Sequence, residues 1–140
     1  MVLDVKNGSA ANMTPVQLWA HPSGAYPLNQ QWFLWGKWQD GNGNWGYEIR
    51  SKVSSNPKCL DRRADLGLGN GNVVQIYDCN GLTNQAWWPV TVGTSKWVLL
   101  KNGADGRCLD VRDASYGNGA PLQVWSCSSG NWNQRWNIYP

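Results

Sequence analysis

Five side chains that suit one kind of ligand recur three times in this 140-residue chain. The first set is Asp4, Gln17, Trp19, Asn29 and Gln30; the second is Asp61, Gln75, Tyr77, Asn84 and Gln85; the third is Asp110, Gln123, Trp125, Asn133 and Gln134. An ionised Asp accepts hydroxyl protons in charge-assisted hydrogen bonds. Asn offers a donor and an acceptor together, and the adjoining Gln can hold the carboxylate in orientation. A flat indole or phenol lies against C–H groups. A hexose, with paired vicinal hydroxyls and a weakly apolar C–H face, has the matching constitution, so the pattern predicts sugar binding. In one copy, a turn-capping Asp and a left-handed Asn would explain the pattern equally well. Three complete copies argue for a site.

The elements that must position these residues also repeat. Residues 2–32 read VLDVKNGSAANMTPVQLWAHPSGAYPLNQQW, 58–87 read KCLDRRADLGLGNGNVVQIYDCNGLTNQAW, and 107–136 read RCLDVRDASYGNGAPLQVWSCSSGNWNQRW. Self-similarity at a fixed period sets the architecture before any local reading. Each copy predicts four short strands. One precedes the Leu-Asp (Tyr47–Arg50, Trp97–Leu100), one contains it, one is the Gln-x-aromatic run, and one follows Asn-Gln-x-Trp. Gly/Asn clusters at 69–72 and 117–119 turn the chain between the second and third. Three copies of four strands make an all-β fold, a β-trefoil with pseudo-three-fold symmetry. Its single domain spans 1–140, with repeats at about 1–36, 46–92 and 95–140. Met1 directly precedes Val2-Leu3-Asp4, so the first copy lacks its leading strand and eleven strands are expected. Trp32, Trp87 and Trp136, with Leu3, Leu60 and Leu109, are assigned to the core.

Spacing is uneven: the three Asp positions step by 57 and 49 residues (61−4, 110−61). An insertion at 35–47, WGKWQDGNGNWGY, accounts for the longer step. Trp38 and Trp45 flank its turn as cross-strand partners would. With Trp35 they are expected to cover the gap left by the missing strand.

Composition narrows the function classes. Charged residues make up 15% of the chain, and the net charge of +3 is scattered rather than gathered into a basic stripe, which disfavours nucleic-acid binding. No apolar run reaches the roughly 18–20 residues of a membrane span. The N-terminus carries no basic-then-apolar signal segment and begins inside the first repeat. Of three possible pairings of the four cysteines, the repeat selects Cys59–Cys79 and Cys108–Cys127; the corresponding positions of the first copy, Val2 and His21, are both non-cysteine. Disulfides point to a secreted or cell-surface protein. No metal-ligating cluster stands out, so binding without a cofactor is expected.

The thrice-repeated Leu-Asp, Gln-x-aromatic and Asn-Gln-x-Trp elements resemble the ricin B-type lectin domain, also known as carbohydrate-binding module family 13, the (Gln-x-Trp)₃ family. The likeness covers nearly all of the chain outside 35–47. It implies a non-catalytic β-trefoil with one shallow sugar pocket per repeat. Galactose/galactosamine-type or xylan/arabinan-type sugars are the implied ligands, in a cell-surface glycan or a polysaccharide. In that scheme Asp110 and Asn133 bond hydroxyls, Trp125 stacks and Gln134 orients Asp110; the other two sets follow suit. Such domains are often appended to a catalytic or toxin domain.

Several departures qualify the carry-over. The first repeat has Met13 where a turn Gly is expected, and its loop from Trp19 to Asn29 is the longest, with Tyr26 a candidate second aromatic wall. Arg62 follows Asp61 where the other copies have Val, and a pairing between the two would compete with a sugar. Two sequons, at Asn7 and Asn12, fall in the first repeat. Two other classes compete. A glycosidase would need two free carboxylates, which Asp61 and Asp110 could supply only by leaving their own repeats. A protein-binding or inhibitory trefoil would use the Trp-rich hairpin.

Overall fold

The computed structural model describes residues 1–138, so the last two positions of the third repeat lie outside the described residues. The first repeat holds β1 (Val2–Val5), β2 (Thr14–Trp19) and β3 (Trp32–Gln39). The second holds β4 (Trp45–Ser51), β5 (Lys58–Arg62), β6 (Val74–Asp78) and β7 (Trp87–Thr91), and the third β8 (Trp97–Asn102), β9 (Cys108–Val111), β10 (Leu122–Trp125) and β11 (Trp136–Asn137). These eleven strands are joined by turns, five of them short 3-10 turns, with no α-helix among the described residues. The eleven expected strands are these, in the expected order.

Strands β3, β4, β7, β8 and β11 pair in that order as a barrel wall, through β3–β4, β4–β7, β7–β8 and β8–β11. Hairpins β1/β2, β5/β6 and β9/β10 form a cap. The cap closes cyclically. Met13 N–H donates to the Ile76 carbonyl (2.9 Å), Gly71 N–H to Val124 (2.8 Å) and Gly119 N–H to Leu18 (2.8 Å). Each repeat's turn therefore grips the Gln-x-aromatic strand of the next, and the third grips the first.

All three turn residues are left-handed, with φ of 69° at Met13, 89° at Gly71 and 85° at Gly119. Glycine adopts this freely, whereas a side chain there is strained. The joint with the second repeat fixes Met13 in that state despite its side chain.

Inside the cap lies one core that includes Val5, Val16, Leu60, Ile76, Trp87, Leu109 and Val124. Trp87 and Leu109 are fully buried, while Leu3, Trp32 and Trp136 are partly buried against that core. Trp32 and Trp136 lie on β3 and β11, the two wall strands that flank the place of the first repeat's leading strand. The disulfides Cys59–Cys79 and Cys108–Cys127, each with Cα atoms 5.1 Å apart, tie the Asp strand to the segment after the aromatic. Loops of this size contribute about 3 kcal/mol each in the chain-entropy account.

The Trp-rich stretch is not a separate hairpin but a longer version of the one that joins two repeats. Trp32 pairs with Ser51 and Trp87 with Asn102, so the β3/β4 hairpin is four residues longer than β7/β8 (51−32 against 102−87). The register slips at Lys37, which pairs Trp38 with Gly46 and Trp45 with Gln39. That bulge puts Trp38 and Trp45 on opposite faces rather than opposite each other. Of these indoles Trp35 and Trp45 are 51% and 48% exposed and Trp38 is half-buried, and the hairpin leans on the second repeat. A Cβ at Gly46 would come within 2.7 Å of the Trp88 ring, and one at Gly81 within 3.0 Å of Lys37 Nζ.

Candidate ligand-binding sites

Strand register brings the first two members of each set together. Asp4 lies directly opposite Gln17, Asp61 opposite Gln75 and Asp110 opposite Gln123. Each Gln donates across the ladder to its Asp Oδ1, at 3.0, 3.1 and 2.8 Å in chain order. The Asn-Gln pairs sit in the 3-10 turns Leu28–Gln30, Thr83–Gln85 and Trp132–Gln134. Both amides of a pair reach the same Oδ2. Asn29, Asn84 and Asn133 donate at 2.8 Å, and Gln30, Gln85 and Gln134 at 2.9 Å. Below them the closing indoles donate Nε1–H to the carbonyls of Leu3, Leu60 and Leu109. The structure thus brings together every Asp, Gln and Asn of each set.

The inventory of free lone pairs decides what such a cluster can bind. A carboxylate has about four acceptor positions, and three of each Asp's are already taken. Each Asn spends its second N–H on a backbone carbonyl, of Val5, Arg62 or Val111. What remains is acceptor capacity on Asp and on Asn Oδ1, beside the second N–H of the Gln that faces the Asp across the ladder. This narrows one expectation and corrects another: the Asp has room for about one hydroxyl proton, and the Asn, expected to offer a donor and an acceptor together, has no donor left. The Gln side chains hold the carboxylate in place.

Beside each cluster stands an aromatic with an open face: Trp19, Tyr77 and Trp125 are 41%, 37% and 45% exposed. In the third repeat Asp110, Gln123, Trp125, Asn131 and Asn133 line one cleft of about 420 Å³. Arg112 crosses its floor, donating to Gln123 Oε1 and to the Gly71 carbonyl, at 3.2 Å each. After the Asp strand, the first and third repeats make a 3-10 turn through a left-handed residue, Asn7 (φ 57°) or Asp113 (φ 55°). Asn and Asp tolerate that conformation. The second repeat has Ala64 at this place, and its loop follows another course, with Arg63 clamped on Asp65 (2.7 Å).

Arg62 does not compete for Asp61. Successive strand residues point to opposite faces, and Arg62 turns into the interior where Val5 and Val111 stand. Fully buried, it pairs with Asp105 at 3.1 Å. Burial pushes the Asp61 carboxyl up from its ordinary range; donors from Gln85, Gln75 and Asn84 oppose the shift without cancelling it, and the nearby Asp65 charge adds to it. The first pocket is the least braced. Gln85 and Gln134 Oε1 accept the N–H of Asn80 (2.9 Å) and Ser128 (2.8 Å), but Gln30 Oε1 is buried with no partner among the described residues. The longer loop before Asn29, unconstrained by a disulfide, supplies no equivalent donor. Its Tyr26 stacks on His21 (centroids 5.4 Å apart).

Three positioning residues escaped the sequence reading. Asn12 Oδ1 accepts the N–H of Asp78 (2.9 Å), Asn70 Oδ1 that of Ser126 (2.9 Å) and Asn118 Oδ1 that of Ala20 (2.7 Å). Each accepting Asn is five residues before its own Gln, yet fixes the residue after the aromatic of the next repeat. Their recurrence five residues before each Gln is visible in the sequence, but Asn70 and Asn118 each precede a Gly and carry the signal of a turn.

A β-trefoil carrying three carboxylate–amide clusters, each beside an open aromatic face, has the build of a binding module. The chain matches the ricin-type beta-trefoil lectin domain over residues 1–136 and belongs to that family, which is a carbohydrate-binding one. It is 44% identical over 123 residues to beta-galactoside-specific lectin 2 of Viscum album, an alignment that covers 68% of this chain and 22% of the relative. The chain thus spans about a fifth of that relative's length. Among solved structures it resembles the designed three-fold symmetric protein ThreeFoil, with a TM-score of 0.81, 32% identity and coverage of 96% of this chain and 87% of that one. It is also similar to part of an exo-beta-1,3-galactanase from Clostridium thermocellum, with a TM-score of 0.78, 30% identity and coverage of 96% and 26%.

Proposed function

We propose that this domain binds hexoses at three pockets, one per repeat, and performs no reaction on them. The observation that carries the reading is the shape of the free hydrogen-bonding capacity. Each cluster presents acceptor capacity on its Asp and on Asn Oδ1, the carboxylate being fixed by three amide donors, next to an exposed aromatic face. A sugar brings hydroxyl donors and a C–H face to that arrangement. Asp4, Asp61 and Asp110 take a hydroxyl proton, Asn29, Asn84 and Asn133 accept a second, and Trp19, Tyr77 and Trp125 stack. Galactose-type ligands are favoured, since the Viscum album relative is named for β-galactosides and the Clostridium enzyme is a galactanase. Two disulfides fit an oxidising compartment, so we place the domain outside the cell or on its surface, alone or appended to a further domain.

Catalysis finds no support in the acid groups. Each cluster Asp is claimed by three amides, and Glu48 is buried between Lys37 and Arg50. A shallow pocket with few bonds gives affinities in the millimolar range, about −4 kcal/mol, so three pockets work by avidity. The test is binding to a galactan and to free galactose by the intact domain and by Trp19→Ala, Tyr77→Ala and Trp125→Ala. These truncations touch half-exposed rings and spare the buried clusters. Each is expected to lower polymer binding several-fold while leaving the fold intact. Equal affinity for polymer and monosaccharide, or indifference to all three changes, refutes the reading.

One observation favours a second reading, a protein-contact role for the lengthened hairpin. Phe33 and Trp35 are exposed there, with Trp35 stacked on Arg50 at 4.4 Å. A Trp35→Ala variant that retains glycan binding and loses a protein partner would assign the hairpin to that role.

A further inference from the structure

One backbone donor is missing from the first repeat, at a place where the other two repeats use it. Counting five residues on from Gln17, Gln75 and Gln123 gives Pro22, Asn80 and Ser128. Asn80 and Ser128 donate their N–H to Gln85 Oε1 and Gln134 Oε1, at 2.9 and 2.8 Å. Proline has no N–H to give, and Gln30 Oε1 is left buried with no partner among the described residues. The other end of that amide is also held less firmly. Gln85 and Gln134 donate to the carbonyls of Asp78 and Ser126 at 3.0 Å, while Gln30 reaches the matching carbonyl of Ala20 at 3.4 Å. The longer loop of the first repeat gains its extra residues after this place: Pro22 is seven residues before Asn29, and Asn80 and Ser128 are four and five before Asn84 and Asn133 (29−22, 84−80, 133−128). Loop length alone therefore does not remove the donor.

We propose, resting on the sugar-binding reading of the three pockets, that Pro22 is a positioning residue that makes the first pocket the weakest of the three. It acts through Gln30 and then Asp4. Gln30 supplies one of the three amide donors that fix the Asp4 carboxylate, at 2.9 Å. In the second and third repeats the corresponding Gln is tied at its oxygen as well as at its nitrogen, so its N–H stays on the carboxylate. Gln30 is tied at the nitrogen alone and is free to turn about its last side-chain bond. A carboxylate whose third donor comes and goes is less pre-organised to accept a hydroxyl proton, and the ligand must meet the cost of ordering it. The segment is also not drawn in by a disulfide, since Val2 and His21 stand where the other repeats have cysteines.

The experiment is an NMR titration of the intact domain with galactose, following the Gln side-chain amides and the Trp19 and Trp125 indoles separately. Without sugar, the Gln30 amide is expected to be mobile where those of Gln85 and Gln134 are rigid. With sugar, the first pocket should bind about fivefold more weakly than the third, the scale of one hydrogen bond. Ser128→Pro removes the donor from the third repeat; it should weaken that pocket alone by about the same factor and set Gln134 moving. Pro22→Ser, made together with Val2→Cys and His21→Cys to draw the segment in, should tighten the first pocket about fivefold and quieten Gln30. The two cysteines without Pro22→Ser should not. A merely structural role for this place would move the melting temperature and leave the affinity of each pocket alone. Unchanged affinity on losing or gaining the donor overturns the proposal, as does a gain from the disulfide by itself or a rigid Gln30 in the parent protein. If galactose shifts no pocket in any variant, the sugar reading is what falls, while the Gln mobilities, read without sugar, still decide whether Pro22 frees Gln30.

Discussion

Burying a carboxylate with no cation beside it is costly, and Asp4, Asp61 and Asp110 are each 3% exposed. Three amide donors per Asp offset that cost, so each cluster is part of the scaffold as well as the proposed recognition surface. Replacing one Asp by Ala strands three buried donors, each worth about 1–3 kcal/mol when unsatisfied; lost binding in such a variant would be confounded by lost stability. Smaller changes test the residues more cleanly. Met13→Gly should relieve left-handed strain and stabilise the domain by about 1 kcal/mol, raising the melting temperature by roughly 3 °C. No change in a thermal melt would contradict the strain. Asn118→Ala frees the N–H of Ala20, and its effect should appear at Trp19 in the first pocket, not in the third repeat where the mutation lies. Trp19 and Trp125 indole signals in NMR distinguish the two. The site residues themselves were legible because they recur at matched spacing. Which of their protons were already spent was not, since that depends on register and on the 3-10 turns. The direction of Arg62 was recoverable: alternation along a strand separates neighbours, and reading Arg62 against Asp61 ignored it.

At the scale of elements, the lengthened hairpin is held by a carboxylate rather than by its tryptophans. Glu48 is fully buried and accepts from Lys37 at 2.6 Å and from Arg50 at 2.7 and 3.0 Å. Burial alone would push its carboxyl up, but the two cations outweigh that and hold it below the ordinary range. A depressed carboxyl contributes stability that is present above its unfolded value, about 4.3, and is lost as pH falls through the lower folded value. Glu48→Gln should therefore cost about 2 kcal/mol near neutral pH, less than a fully buried pair because Lys37 is partly exposed. In urea titrations the gap from the parent protein should shrink as pH falls below 4. A gap that stays constant with pH would remove the ion pairs from the account. The length of this hairpin was readable from the repeat spacing. Its pairing was not, because a single bulge at Lys37 moved Trp38 out of line with Trp45.

At the scale of the molecule, three pockets on a closed ring stand at fixed separations, which is the condition for gaining avidity from weak sites. The ring is made by three joints, in which the turns at Met13, Gly71 and Gly119 grip β6, β10 and β2, and the accepting Asn residues repeat the same sequence of contacts. No joint is self-complementary: every one sets a turn against a strand of a different copy. In the vocabulary of assemblies these are heterologous contacts whose rotation closes after three steps. One chain therefore does the work of a cyclic trimer whose subunits happen to be covalently linked. A single repeat made as a free peptide would carry both halves of the joint, a gripping turn and a strand to be gripped. Its satisfied state would be a three-membered ring, since a pair would leave one turn and one strand unmatched.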